Sequence, residues 1–323
     1  MTGLKSLTYK LARSIGGFQV AKFLSRHHPK IFMYHRIKSV EDGQGLSVSQ
    51  FRRQVAIIKE HFQPMTLSDL LFAKERGEVP PNAVVITFDD GYADFSEIAF
   101  PILKEAEVPV TLFITTGFVD GDTWLWPDQI RYAIFNSEKH QLKFPAIGLT
   151  FDIKNRPTEA WSAIADYCLT ISNEEKLDFI VDIFEKLEVP FPVRIPEEYR
   201  AVSWLQVNKM IEEGLDIGSH SITHPVLTKL NSEQLFEELK NSRNKIQKET
   251  GKSVDVFCYP NGTTDDFDLG VKSLLAEIGY KYAVCAFPGK VPLNDAWCIN
   301  RYPVGINLEF FKKNIYGLTF LTM

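Results

Sequence analysis

Four side chains concentrate the chemistry that can be read from this chain. Asp89 and Asp90 stand side by side where the apolar run AVVITF ends, and Gly91 follows them. His220 and His224 lie four residues apart in SHSITHP, at the end of a second strand-like run, LDIGSH. Neighbouring carboxylates repel one another, so the acidic pair needs a compensating charge. One carboxylate with two neutral imidazoles suits zinc or a similar divalent ion and leaves a position open for water. The other carboxylate then remains a free base beside that water. Adjacent residues at a strand end point in different directions, so one acid can face a cation and the other a substrate. Taken singly, each motif has a plainer reading: Asp-Asp-Gly as a solvated turn, the histidine pair as a feature of a helix surface. Both motifs at strand ends point to a site.

The elements that must position these residues alternate along the chain. KIFMYH, AVVITFDD, VPVTLFITTG, LDIGSH, VDVFCYP and KYAVCAF read as strands. Between them SVSQFRRQVAIIKEHF, FSEIAFPILKEA, SWLQVNKMIEEG, NSEQLFEELKNSRNKIQKETG and GVKSLLAEIG carry apolar residues three and four apart, the mark of helices. Strand-helix alternation implies a parallel α/β sheet, whose functional groups gather at the carboxyl ends of the strands. From about residue 124 to about 200, helical patterns run without a strong strand, which predicts a helical insertion over one side of the mouth. Residues 1–29 form a separate expected unit, an amphipathic helical segment, and residues 30–323 the main domain. In the first unit Leu4, Leu7, Leu11, Ile15, Phe18 and Phe23 alternate with lysines and arginines. Such a stretch at residues 4–26 suits peripheral contact with an anionic membrane; its plainer reading is a helix packed on its own domain, since Gly16-Gly17 weakens an independent one.

The 323 residues are 45% hydrophobic and 24% charged, as in a folded globular protein, and the net charge of −5 gives no reason to expect nucleic acid. Cys168, Cys258, Cys285 and Cys298 form no C-x-x-C pair and read as reduced core residues. No apolar run is long enough for a signal peptide or a membrane span. The expectation is a cytoplasmic protein, peripheral on the inner membrane face if the first segment touches lipid.

TFDDGYADF and SHSITHP resemble the first two motifs of the polysaccharide deacetylases, carbohydrate esterase family 4. The resemblance runs from about Ile31 to about Gly305, and FMYHRI is similar to the branch with Tyr-His-x-Ile/Val on its first strand. It implies a distorted (β/α)7 barrel, with Asp89 as catalytic base, Asp90, His220 and His224 as ligands of a divalent metal, most simply Zn2+, and hydrolysis of an N-acetyl group on an amino sugar. Two departures stand out. The third motif of the family, Arg-x-Pro-Tyr/Phe-Gly, is here CYPNG, so Cys258 replaces the arginine that steadies the base and Asn261 the aromatic residue. Arg301, in INRYPV, is the candidate to take over; its plainer reading is a surface ion pair. The last motif, Leu-x-His, supplies the general acid, yet no histidine follows His224. His35, at the end of the first strand, is the substitute, with a core histidine as the alternative, whereas His27, His28, His61 and His140 lack such a context.

Tyr259 and the Asn261 backbone N–H suit an acetyl pocket and oxyanion site, if PNG is more than a turn. Trp124 and Trp126 suit stacking on sugar rings, or a buried core. Asp94 and Asp128 are mouth residues or merely solvated. The expected partner is a nucleotide-linked or lipid-linked saccharide of cell-envelope or exopolysaccharide synthesis, carrying an N-acetyl or other N-acyl group. The alternatives are a carbohydrate-binding protein on the same barrel that has lost turnover, and a hydrolase of a non-sugar amide.

Overall fold

The computed structural model of the protein describes residues 16–38 and 45–323. One sheet dominates it: β1 (Lys30–Tyr34), β2 (Gln63–Pro64), β3 (Ala83–Phe88), β4 (Val110–Ile114), β5 (Asp216–Ser219), β6 (Val256–Cys258), β7 (Tyr282–Val284) and β8 (Tyr302–Pro303), all paired in parallel. Seven strands run in the order β7-β6-β5-β4-β3-β1-β8, and β2 adds a short pairing to β3. Phe32 pairs with Tyr302 at one end of the sheet, while Val284 at the other end bridges to Ile299. Residues 299–303 therefore touch both margins and curl the sheet into the distorted (β/α)7 barrel.

The strands are continuous apolar runs because both of their faces are covered. All six residues of β3 and all five of β4 are buried. Helices return the chain between strands, among them Val48–His61, Trp204–Glu212, Ser232–Thr250 and Leu269–Ile278. Ser47, Ser203 and Asn231 begin three of them with capping boxes, each side chain accepting the N–H of the glutamine three residues on. The resulting register leaves residues 89, 90, 220 and 224 just beyond the carboxyl ends of β3 and β5.

Between Trp124 and Tyr199 the chain builds its own small core, with Ile130, Ile164, Ile183 and Phe184 at its centre. The helices Trp126–Phe135, Pro157–Cys168 and Asn173–Leu187 surround it. An antiparallel hairpin, Gln141–Phe144 with Leu149–Asp152, corrects the expectation of helices alone. Its strands are four residues each and turn at Gly148, where φ is 67°, so the period-two signal is too brief to compete with the helical patterns on either side.

Most of the expected N-terminal helix over residues 4–26 lies outside the described residues. Within them, a helix runs over Gly17–Leu24 and packs near the helix Leu318–Thr322. Among the described residues, no helix is long and apolar enough to cross a membrane.

Candidate active site

Backbone pairing places the acidic and histidine motifs together. The N–H of Asp89 donates to Tyr34 O and the N–H of His220 to Ile114 O, extending the β1–β3 and β4–β5 ladders by one residue each. The chain then breaks from the sheet: Asp90, Ser221 and His224 adopt left-handed φ values of 73°, 66° and 58°. Such conformations cost free energy in non-glycine residues and cluster where a site imposes geometry. Asn261, after β6, adopts 61° and adds a fourth. Gly218 in β5 is needed for clearance, since a Cβ there would lie 2.5 Å from the Phe113 ring.

Asp90 Oδ1 lies 3.5 Å from His220 Nε2 and 3.6 Å from His224 Nε2, with all three residues buried. His220 Nδ1 is 2.8 Å from the carbonyl oxygen of Cys258. A carbonyl only accepts, so Nδ1 carries the hydrogen and Nε2 turns its lone pair toward Asp90. Two acceptors therefore face each other, and Asp90 Oδ1 makes no hydrogen bond. A divalent cation is the group that satisfies such an arrangement, and the donor set fits one. Desolvation raises the pKa of Asp90 well above the carboxylate range, and the charges of Asp89 and Asp128 add to the effect. Burial lowers His220 to about 4 and His224 well below its ordinary value. The imidazoles are thus neutral, as ligation requires, and a cation would draw Asp90 back to its ionised form.

A second trio, Asp89, His220 and Cys258, also lies close enough to hold an ion. Asp89 is already occupied. Arg301 Nη1 donates to its Oδ1 at 2.7 Å and Nη2 to its Oδ2 at 2.9 Å, and both residues are buried. The adjacent guanidinium disfavours a cation at that trio. Arg301 is also held by Thr87 Oγ1, Cys285 O and Cys258 Sγ, so the surface ion pair of its plainer reading does not describe it. Desolvation pushes the pKa of Asp89 up, but the Arg301 guanidinium outweighs it and holds the carboxyl well below the usual range. The small Cys258 side chain lies 3.0 Å from Nη2.

His35 Nε2 is 3.9 Å from Asp89 Oδ2 and keeps 46% of its side chain exposed, which places it on the rim of the mouth and not in the core. Desolvation lowers the pKa of His35 below its ordinary value, with Asp89 opposing that shift and Arg301 adding to it. Asn261 is half-buried, its Nδ2 has no hydrogen-bond partner, and its backbone N–H donates to no acceptor among the described residues.

The other candidates are placed differently. Tyr259 is buried, stacks on Phe267 at 4.0 Å and donates its hydroxyl to Trp297 O, so it supports the wall from behind. Trp126 is buried too, and its Nε1 donates to His224 O at 3.2 Å, bracing the loop that carries His220 and His224. Trp124 sits in the insertion core. Asp94 accepts the N–H of Ile37, and Asp128 accepts the Tyr92 hydroxyl at 2.6 Å, so neither is merely solvated. Sequence reasoning missed Tyr92 and Arg36, whose guanidinium lies over the Tyr92 ring. Tyr92 follows the acidic pair by two residues, and that adjacency was the available signal.

Comparison with known proteins joins this geometry to a family. The polysaccharide deacetylase family matches residues 76–136 and 139–283, well over half of the chain. The chain belongs to the polysaccharide deacetylase family. A poly-beta-1,6-N-acetyl-D-glucosamine N-deacetylase of Staphylococcus aureus is 35% identical over 125 residues, which are 37% of this chain and 42% of that protein. A Staphylococcus epidermidis protein of the same name is 34% identical over 71 residues, 22% of this chain and 25% of its own. The aligned stretch thus spans less than half the length of these curated relatives. Among solved structures, Streptococcus pyogenes deacetylase PplD in complex with acetate superposes with a TM-score of 0.59 at 18% identity, covering 88% of this chain and 95% of its own. IcaB from Ammonifex degensii gives 0.59 at 16%, covering 90% and 97%. At these identities the two structures establish the shared barrel.

Proposed function

We propose that this polysaccharide deacetylase-family chain hydrolyses an N-acetyl, or other N-acyl, group from an amino sugar of a cell-envelope or exopolysaccharide saccharide. The observation that carries the reading is the contrast between two adjacent carboxylates: Asp89 is clamped by Arg301, while Asp90 faces the Nε2 atoms of two imidazoles. The names of the staphylococcal relatives support an N-acetylglucosamine polymer as the substrate class.

Asp90, His220 and His224 would hold a divalent cation, with Zn2+ suited to one carboxylate and two imidazoles. When bound, the ion supplies Lewis acidity toward the amide carbonyl and the attacking water. Arg301 keeps Asp89 ionised and fixes its plane, so this carboxylate accepts the proton that water loses on attacking the acyl carbon. The Asn261 backbone N–H, which donates to no acceptor among the described residues, suits the developing oxyanion. His35, on the open side of Asp89, delivers a proton to the leaving nitrogen as the C–N bond breaks. The products are a free carboxylic acid and an amino sugar.

Acetate release from β-1,6-linked N-acetylglucosamine oligomers tests the reading. Turnover that stops with chelator and returns with Zn2+ is the expected result. Saturable oligomer binding without any acyl release under metal-replete conditions would instead identify a binding protein. Contact with a lipid-linked substrate at the membrane draws support from the helix Gly17–Leu24, where Val20, Phe23 and Leu24 are more than half exposed. Co-sedimentation with anionic vesicles, lost on Phe23→Glu, tests that part alone.

A further inference from the structure

Behind the metal loop lies a cavity of about 1190 Å³ that contains neither Asp89 nor Asp90. The insertion forms one wall, through Trp126, Lys176 and Phe191, and the start of the helix Ser232–Thr250 forms another. Lys176 is its anomaly. The residue is 2% exposed and lines the cavity, yet no hydrogen bond or ion pair reaches its ammonium among the described residues. Its nitrogen lies 5.0 Å from the centre of the Trp126 ring, a contact that offers an electron-rich face but no acceptor atom. Buried charges in folded proteins are normally paired, because the lost hydration is otherwise uncompensated.

A second donor shares this condition: Trp124 lines the same cavity, and its buried Nε1 has no hydrogen-bond partner. The charge of Glu238 is felt at Lys176, but the cavity's carboxylates are bonded elsewhere or exposed, Glu237 accepting from Asn241 at the surface. Glu238 accepts from Ile222 N, Thr223 N and Thr223 Oγ1, and so ties down the metal loop. Asp120 accepts from Trp204 Nε1 and pairs with Lys245. Asp122 and Glu233 are exposed at the edge. Among the described residues, no carboxylate of the lining forms an ion pair with the Lys176 ammonium. At the rim the surface changes character: Leu177 and Phe191 are half exposed and apolar, and Arg194 is an exposed cation with no ion pair among the described residues.

We propose that this cavity is an accessory binding site for a small molecule that carries a carboxylate or phosphate ester on a body with apolar faces, the anion pairing with Lys176 and the body lying against Phe191 and Leu177. The site is separate from the catalytic groups and does not rest on the proposed reaction. Trp126 nevertheless connects the two, since its ring carries Lys176 and its N–H holds His224 O. A ligand that reorders Lys176 acts on the carbonyl of a metal ligand through one indole, and the coupling is reciprocal.

The test is calorimetric titration of the full chain with glucuronate, glucose 1-phosphate, octyl phosphate below its aggregation limit, inorganic phosphate and glucose. Saturable binding of at least one organic anion, with glucose silent, is expected; a sugar acid binding best identifies a saccharide source, and octyl phosphate binding best a lipid-like one. Lys176→Met should weaken the interaction about tenfold or more while Lys176→Arg retains most of it. If the methionine variant does not fold, the exposed Arg194→Glu serves in its place and should weaken binding several-fold by repulsion at the rim. Equal binding by wild type and the folded variant, inorganic phosphate matching the organic anions, or no saturation by about 10 mM ligand overturns the proposal. Acyl hydrolysis of a short substrate is not the readout, so the two sites fail or stand independently.

Discussion

Asp89 and Asp90 are chemically identical neighbours that the fold drives apart. Arg301 fills both oxygens of Asp89, whereas Asp90 meets only imidazole nitrogens. Asp89→Asn should therefore leave metal content unchanged and lower kcat by about 10²–10⁴-fold, the usual worth of a positioned base, measured by acetate release beside elemental analysis. Arg301→Met strands a buried carboxylate, and denaturant unfolding should show a loss of about 3–5 kcal/mol. His35→Ala removes a half-exposed side chain, so kcat should fall steeply while the melting temperature barely moves. At this scale the two motifs were legible because strand ends and residue types sufficed to assemble them. The contact between Arg301 and Asp89 was open only as one of two readings, since 212 positions separate the partners and no local pattern encodes that distance. Tyr259 and Trp126 show the converse: aromatic residues near a motif look like ligand platforms in sequence, and only packing reveals that their polar atoms are spent on Trp297 and His224 carbonyls.

Elements position the site through second-layer contacts. Trp126 begins a helix of the insertion and donates to the carbonyl of His224, so the insertion braces the histidine loop of the barrel. Trp126→Phe keeps the ring and deletes the N–H; competition with a chromophoric chelator should show cation affinity reduced about 10–100-fold, the range for outer partners of metal ligands. Continuous apolar runs flanked by helical periodicity made the parallel strands readable from AVVITF and VPVTLFITTG. The hairpin around Gly148 was not, because two four-residue strands among helices lack the length that fixes a period. The clearance at Gly218 for the Phe113 ring was equally silent, since it depends on an adjacent strand.

For the whole molecule, acid should act through groups that the fold keeps uncharged. His28 is buried between Phe320 and Tyr302, and desolvation with the nearby Lys30 charge lowers its pKa from 6.5 to about 4. The unfolded chain then binds a proton that the folded chain refuses, so this contribution is complete above about pH 6.5 and is lost as pH falls toward 4. His28→Gln should flatten that part of the stability profile, compared by melting at pH 7 and pH 4.5. The segment that closes the barrel carries a consequence for biogenesis. Residues 299–303 join the first strand to the seventh, and Arg301 rides on them. A nascent or partly unravelled copy has its acids and histidines encoded but lacks the guanidinium that disciplines Asp89. Completion of the ring is thus also the step that sets the guanidinium against Asp89.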